Sequence, residues 1–556
     1  MATLSLTGKE WTIREDFRGG NDLSGTLFRA RALDTAGDAP LPFHAPGPTP
    51  PALPAALERI RHAVKTEERV GLFGDYDCDG ITATAQLVRF FLRQGIRPFA
   101  RLPHRQHEGY GLREETVRAF LEKGATLLIT VDTGVVSHRE IALAKAGGMD
   151  VIVVDHHHLP ETLPDAVAVL HPGLVAADAG THPAAAGLAF GLVAALEGGE
   201  WRDRDTDLAL AATGTVADLV ELTGVNRTLV REGVAAYGRL TEGPLRMLCA
   251  NARIDGIPSS RDIAFRIAPR LNAAGRMDDP HIALRALLGD GHAVAQLEQL
   301  NQDRQQQTRA LLAGITADLS RPFLTLASPD YPAGIIGLIA GRLTEAHGRP
   351  SLVAQIQGDV CVASLRSIPG FHVTEALQSC ADLLLTFGGH AQAAGCTFAT
   401  ASFDDLRDRL NAHAARTLSV DTLRPVLPVD GLLDAAQVTL PLIESMRTLE
   451  PFGQGNPEPR FVLPGVRFSS LKRVGAAFAH IQGTVGPLKV IGFQLGTLFE
   501  RIPVGPVDIA CRLSVDTWNG NMRPQLLVED VREAFISPAT IEAVNVEQAN
   551  LPLSSS

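Results

Sequence analysis

Residues 71–84 read GLFGDYDCDGITAT: an apolar segment runs into Asp75, Asp77 and Asp79 at alternate positions and then into a stretch that suits a helix. Three carboxylates this close repel one another unless cations neutralise them. A calcium loop of the EF-hand type opens with the same D-x-D-x-D-G spacing, but its twelfth position needs a glutamate and here holds Gln86. A strand, not a helix, also precedes this loop. The plain alternative to a cation site is a solvated acidic turn.

Around this loop RVGLF, ITATAQLVRFFLRQ, TLLITV, HREIALAKAG and DVIVV follow one another, each bounded by Gly or Asp. That alternation of strand and helix predicts a parallel sheet. Three further apolar segments end as the first does: TLLITV in Asp132, DVIVV in Asp155-His156-His157-His158, and LALAATGTVA in Asp218. In an open parallel sheet the carboxyl ends of the strands share one edge, where ligands bind, so these side chains are expected to converge. Adjacent His156 and His157 leave an extended chain in opposite directions. One of them can then bind metal while the other faces substrate, and His158 reads as exposed.

Oxygen ligands with one imidazole suit Mn2+, with Mg2+ as a weaker occupant, and there are carboxylates enough for two ions. The six cysteines form no CxxC pair, which disfavours zinc, iron–sulfur chemistry and a disulfide framework. Two ions about 3.5–4 Å apart activate a water and stabilise the attacking and leaving oxygens of a phosphoryl transfer, which points to phosphoester hydrolysis. No GxxxxGK[ST] loop, HExxH helix or GxSxG elbow occurs.

At about 150 residues per domain, 556 residues predict three or four domains. A proline-rich stretch, PLPFHAPGPTPPALP, closes an N-terminal wrapping segment over 1–50. The catalytic domain is expected over 51–290. A linker helix follows over 291–320, with Ala293, Leu297 and Leu300 on one face. A smaller α/β domain over 321–424 includes a helix around EALQSCADLLL. From 425 to 540 short β-like runs with Gly, Pro and Asn-Gly turns predict a small barrel, and 541–556 is a tail. No apolar run approaches a membrane span and no secretory signal is visible, so the expected compartment is the cytoplasm.

With 51 basic and 62 acidic residues the net charge is −11, which disfavours indiscriminate coating of nucleic acid but leaves room for a local basic channel. Arg253, Arg261, Arg266, Arg270 and Arg276 crowd the segment before the linker helix. They offer a phosphate track, or cover core edges and pair with carboxylates; Arg276 is the favoured substrate contact. In GGHAQAAG, paired glycines followed by a helix start would let Gly388, Gly389 and His390 approach a phosphate. Lys472, Arg473, Phe478, Trp518 and Arg523 are candidates in the barrel segment, with Phe478 read as core.

GDYDCDGITA, VDTG, VVDHHH and GTVADLV resemble the four metal-binding motifs of the DHH phosphoesterase superfamily, in their usual order. PHRQHEGYGL, RIAPRLNAAGRM, ASLRSIPG, GGHAQAAG and EPFGQGNPEPRF extend the resemblance to its single-stranded-DNA exonucleases, over most of residues 50–540. The resemblance implies an α/β fold: a parallel-sheet DHH catalytic domain joined by a long helix to a smaller α/β DHH-associated domain, then an OB-fold-like β-barrel. It implies one ion on Asp79, Asp132, His156 and Asp218, and another on Asp75, Asp77 and Asp132, which bridges. His157 would stand beside the scissile phosphate. Arg105, Ser364 and Arg366 would clamp a 5′-phosphate.

The implied function is metal-dependent hydrolysis of single-stranded DNA from the 5′ end in recombination and repair. A single-strand-binding protein and a helicase are possible partners by the same resemblance. The alternatives are a DHH phosphoesterase for short oligonucleotides or cyclic dinucleotides, and a non-catalytic replication scaffold. DYPAGIIG departs from the family's usual Trp-His at Tyr331 and Pro332, so no catalytic role is assigned there.

Overall fold

A computed structural model describes residues 4–14, 22–31, 33, 50–105, 107–175, 182–419, 423–517 and 521–534. The expectations for most of the proline-rich stretch, for Trp518 and for the tail fall outside these residues. The chain divides into two compact units: Asp34–Ala414 with Pro451–Asn456, and Met1–Leu33 with Ala415–Glu450 and Pro457–Ser556.

The larger unit begins with a five-stranded, all-parallel sheet in the spatial order Phe99–Arg101, Val70–Gly74, Leu127–Val131, Asp150–Val154, Ala168–Leu170. Val70–Gly74 and Leu127–Val131 are buried along their whole length. Such strands carry helices on both faces and therefore read as unbroken apolar runs rather than as alternation. On one face Leu72, Leu127, Ile129 and Ile152 pack with Leu87 and Phe91; on the other Phe73, Leu128 and Val151 pack with Val117, Phe120 and Ile141.

The chain leaves Val70–Gly74 toward one edge of the sheet and returns to its other side at Leu127–Val131. The crevice at this reversal of strand order is where ligands bind in open α/β sheets, and it lies beside Asp75–Asp79 and Asp132. Asp77 caps the helix Cys78–Arg93 by accepting from the backbone N–H groups of Asp79 (3.0 Å) and Gly80 (3.2 Å). Residue 80 must be glycine, because a Cβ there would stand 2.6 Å from the Asp75 nitrogen.

The helix Gly291–Gly314 starts at Asp290, whose carboxylate accepts from the His292 and Ala293 N–H groups, and buries Ala293, Val294, Leu297 and Asn301. Beyond it lies a second five-stranded sheet, in the order Leu384–Gly389, Ala393–Ala399, Val360–Arg366, Ser351–Gln357, Leu324–Ser328. Only the last pair is parallel, so this domain is mixed rather than a repeat of the first.

The helix expected around EALQSCADLLL is confined to Val373–Gln378, and the chain becomes a strand at Leu384. GGHAQAAG therefore closes a β-hairpin instead of opening a helix, and the helix-start rationale for Gly388, Gly389 and His390 is withdrawn. A short apolar run such as LLLTF has no period that separates helix from strand; pairing with Ala393–Ala399 decides it. Gly389, at φ +141°, lies so close to that strand that a Cβ would come within 2.5 Å of the Ala393 oxygen.

In the smaller unit Glu10–Ile13 pairs in parallel with Val426–Val429, and Trp11 donates from Nε1 to Asp530 at 2.9 Å. Seven strands follow in the order Gly431–Leu432, Phe461–Val466, Val507–Asp516, Arg523–Glu533, Leu488–Gly492, His480–Val485, Ser469–Val474. Among the described residues the two outer strands do not pair, so the expected barrel is an unclosed sheet. The first outer strand has only two residues, and the last is interrupted by a bulge between Ser469 and Lys472, with Ser470 at φ +55°. Both features end a ladder rather than extend it.

Candidate metal centre and strand-binding residues

Four segments deliver the acidic and imidazole groups. Asp75, Asp77 and Asp79 follow Val70–Gly74, Asp132 follows Leu127–Val131, and Asp155, His156 and His157 follow Asp150–Val154. The fourth differs from expectation, because LALAATGTVA belongs to the helix Arg204–Ala217 and Asp218 is its C-cap. Its run of small apolar residues carries no strand period, and alanine favours helix.

His156 Nε2 stands 3.1 Å from Asp132 Oδ1 and 3.7 Å from both Asp79 Oδ2 and Asp218 Oδ2. One ligand atom each from Asp79, His156 and Asp218 lie within 4.8 Å of one another; the same holds for Asp75, Asp77 and Asp132, and for Asp132, His156 and His157. Asp132 thus stands between two donor groups. Its backbone is left-handed at φ +62°, a strain of order 1 kcal/mol or more. Its N–H donates to the Val154 oxygen at 2.9 Å and its carbonyl accepts from the Tyr110 hydroxyl at 3.2 Å.

Burial, followed by Asp77, pushes the Asp79 carboxyl up to about 7 against N–H groups donated by Ala185 and Ala186. Burial and then Asp79 and Asp77 push Asp218 up to about 9, and Asp75 and Asp132 are raised well above the usual range by burial and neighbouring carboxylates in the same way. The Asp75 Oδ1 atom is buried with no hydrogen-bond partner. Crowded carboxylates with an orphaned oxygen and no thiolate fit hard divalent cations. His156 is lowered to about 3, by burial first and then by His157, which keeps its imidazole neutral as a metal donor must be.

His157 differs. Its Nδ1 lies 2.8 Å from Asp155 Oδ1 and 3.1 Å from the Tyr110 hydroxyl. Burial lowers this imidazole, but Asp155 outweighs it and raises the pKa overall. Asp155 is itself held at about 2: burial raises it, and His157 with the Val135, His156 and His157 N–H groups outweighs that. The backbone beyond is fixed by buried His171, which donates from Nε2 to the His157 oxygen at 2.6 Å and accepts the Gly173 N–H at Nδ1. Sequence reasoning assigned no role to Asp155, Tyr110 or His171. The first two sit inside quoted motifs; nothing local marks the third.

Family models match the chain in three places: DHH family, N-terminal domain, at residues 69–219; DHHA1 domain at 320–416; and RecJ OB domain at 429–530. The single-stranded-DNA-specific exonuclease RecJ of Thermus thermophilus is 37% identical over 492 residues, 86% of this chain and 70% of that one. The Bacillus subtilis RecJ is 33% identical over 541 residues, 91% of this chain and 67% of that one. The chain belongs to the RecJ family. A crystal structure of RecJ in complex with Mn2+ from T. thermophilus is similar over 95% of this chain and 80% of that one, with a TM-score of 0.82 and 31% identity. A Mg2+ complex from the same organism gives 0.76 at 29% identity, over 95% and 79%.

The substrate candidates of this RecJ-family chain fall into groups. Arg276 is half-buried, donates to the Gly334 oxygen at 3.3 Å, and is pushed well below its ordinary pKa by loss of solvation and then by Arg105, Arg304 and Arg366. Arg366 donates to Ser364 Oγ at 3.1 Å, and a Cβ at Gly337 would touch both side chains. The structure therefore gathers Arg105, Arg276, Ser364 and Arg366. Gly388, Gly389 and His390 lie on the hairpin, where the His390 ring is 5.1 Å from that of exposed His158.

The proposed arginine track is partly neutralised. Arg266 pairs with Asp262 at 2.9 Å, Arg270 pairs with Glu298 at 2.6 Å, and Arg261 stacks on Phe265.

In the smaller unit Phe478 is 63% exposed, contrary to the core reading. Ala477 and Phe478 both have positive φ (53° and 56°), and a Cβ at Gly496 would strike the Phe478 oxygen. The backbone is thus wedged so that the ring points outward. The Arg473 guanidinium lies 5.7 Å from the Phe478 ring and 5.5 Å from that of Phe499. A groove of about 520 Å³ is lined by Lys472, Gln482, Thr484, Lys489, Asp516 and Arg523 among others.

Proposed function

We propose that this chain is an Mn2+- or Mg2+-dependent exonuclease that hydrolyses single-stranded DNA from its 5′ end. The observation that carries the reading is Asp132, set between Asp79, His156 and Asp218 on one side and Asp75 and Asp77 on the other. The chemistry supplied there by two divalent ions would be activation of a water and stabilisation of the attacking and leaving oxygens. The six side chains would hold and orient that charge, which would take the place of the protons that otherwise relieve the repulsion among the carboxylates. His157, kept basic by Asp155, faces the substrate, where its proton steadies charge on the phosphate or passes to the leaving oxygen.

Polarity comes from end recognition. A terminal phosphate has more charge and one more oxygen than an internal one, and guanidinium forks with a hydroxyl match it; Arg105, Ser364 and Arg366 form this pocket beside Arg276. Gly388, Gly389 and His390 offer backbone and imidazole contacts to the strand. In the smaller unit the cationic groove and the Phe478 ring suit backbone charge and base stacking. The proposed division is a catalytic domain (51–290), a linker (291–320) that is helical only over Gly291–Gly314, an associated domain (321–424) and an OB-fold-like domain (425–540).

Among the described residues no helix is long and apolar enough to cross a membrane. Cytoplasmic recombination and repair, with a single-strand-binding protein and a helicase as partners, is the setting that family resemblance favours.

The test is a time course on single strands labelled separately at each end, with Mn2+, with Mg2+ and with chelator. A 5′ label should appear at once as mononucleotide while a 3′ label persists on a shortening ladder, and chelator should stop both. Early release of the 3′ label would overturn the polarity.

A further inference from the structure

Tyr76 lies between two candidate metal ligands, Asp75 and Asp77, and its ring carries the Arg105 guanidinium, whose central carbon is 4.7 Å from the ring centroid. That is cation–π distance. Among the described residues Arg105 makes no ion pair with a carboxylate, so its N–H donors are not already committed to an anion. The Tyr76 backbone is fixed on its other side. A Cβ at Gly275, the residue before Arg276, would come within 2.9 Å of the Tyr76 oxygen. The Cys78 N–H donates to Asn272 Oδ1 at 2.9 Å, which ties the acidic loop to the helix Ala268–Met277 that bears Arg276.

We propose that Tyr76 is a positioning residue that holds Arg105 at a set distance from the metal ligands and so fixes where a terminal phosphate docks. The inference rests on the terminal-phosphate reading above. An arginine on a surface loop has many rotamers, and ordering it when the strand binds weakens binding. A ring already under the guanidinium removes most of that cost. Because the ring belongs to the same three-residue segment as Asp75 and Asp77, the arginine and the metals keep one spacing. The face of the ring, not its hydroxyl, does this.

The experiment uses the full chain and strands of one sequence bearing either a 5′-phosphate or a 5′-hydroxyl. It compares wild type, Tyr76→Leu and Tyr76→Phe, with Mn2+ affinity measured by calorimetry. Tyr76→Leu should reduce the kcat/KM ratio of phosphate over hydroxyl strands by about tenfold, the size of one good cation–π contact. The change should fall on KM for the phosphorylated strand, with Mn2+ affinity within about twofold of wild type. Tyr76→Phe should restore the ratio. Tyr76→Met, with a flexible side chain that fills the same space, replaces the leucine variant if that one melts early.

In an Arg105→Ala background, Tyr76→Leu should add nothing further. A full phosphate preference in Tyr76→Leu and Tyr76→Met, with wild type also showing it, overturns this inference alone. Loss of Mn2+ affinity in both also overturns it, since Tyr76 would then only prop up the metal loop. A wild type with no phosphate preference overturns the terminal-phosphate reading and this inference with it.

Discussion

His157 Nδ1 sits 2.8 Å from Asp155 Oδ1, whereas the adjacent His156 turns Nε2 toward Asp132, Asp79 and Asp218. Two neighbouring imidazoles are thereby given opposite character: one is raised by a carboxylate that N–H groups keep ionised, the other is held neutral by burial. This division underlies the assignment of His157 to the substrate and His156 to the metal.

His157→Ala should therefore lower kcat by about 10²–10⁴, the usual worth of a positioned acid or base, with Mn2+ affinity nearly intact. Asp155→Asn should slow turnover in the same direction. Titration calorimetry beside steady-state kinetics decides the matter, and a His157→Ala protein that no longer binds Mn2+ would exchange the roles of the two histidines.

The carboxyl groups predict a pH dependence of stability. Asp79 and Asp218 are raised to about 7 and about 9, so the folded metal-free chain keeps protons that the unfolded chain releases near pH 4. With more protons bound to the folded state, stability falls as pH rises between those limits, by up to about 1.4 kcal/mol per pH unit for each such group. Divalent ions displace these protons and cancel the loss. The rise in Tm on adding Mn2+ should be larger at about pH 8 than at about pH 5.5, and a rise independent of pH would count against buried, mutually repelling ligands.

Phe478 should matter for holding the strand rather than for folding. Its exposed ring is available for base stacking, worth about 1–3 kcal/mol per base. Phe478→Ala is expected to weaken binding of single-stranded DNA by roughly tenfold, measured by anisotropy in chelator, with Tm unchanged. Unaltered affinity would show that the ring does not touch the strand.

How much of this is legible in the sequence depends on what each segment packs against. Asp75, Asp132 and Asp155 could be placed at strand ends because strands covered on both faces are short unbroken apolar runs, and the residue after each is the first that water or a ligand can reach. Asp218 escaped that logic, since a small-residue helix buried on all sides looks equally apolar. The Leu384–Gly389 strand and the hairpin that displaced the expected helix depend on pairing with Ala393–Ala399, which no local pattern encodes. Phe478 misled because an aromatic is normally core; two successive left-handed residues and the close approach of Gly496 force it outward, and these are properties of the folded backbone. His171 acts through one hydrogen bond across fourteen residues.

The central claim is that one carboxylate, Asp132, serves two ions that perform the hydrolysis. Its most direct test is cleavage of single-stranded DNA by Asp132→Ala at saturating Mn2+, with strand binding measured on the same preparation. Cleavage should fall by about 10³ or more, as expected when a metal-bridging group is lost, while the strand still binds. Near-normal cleavage by Asp132→Ala would contradict the account.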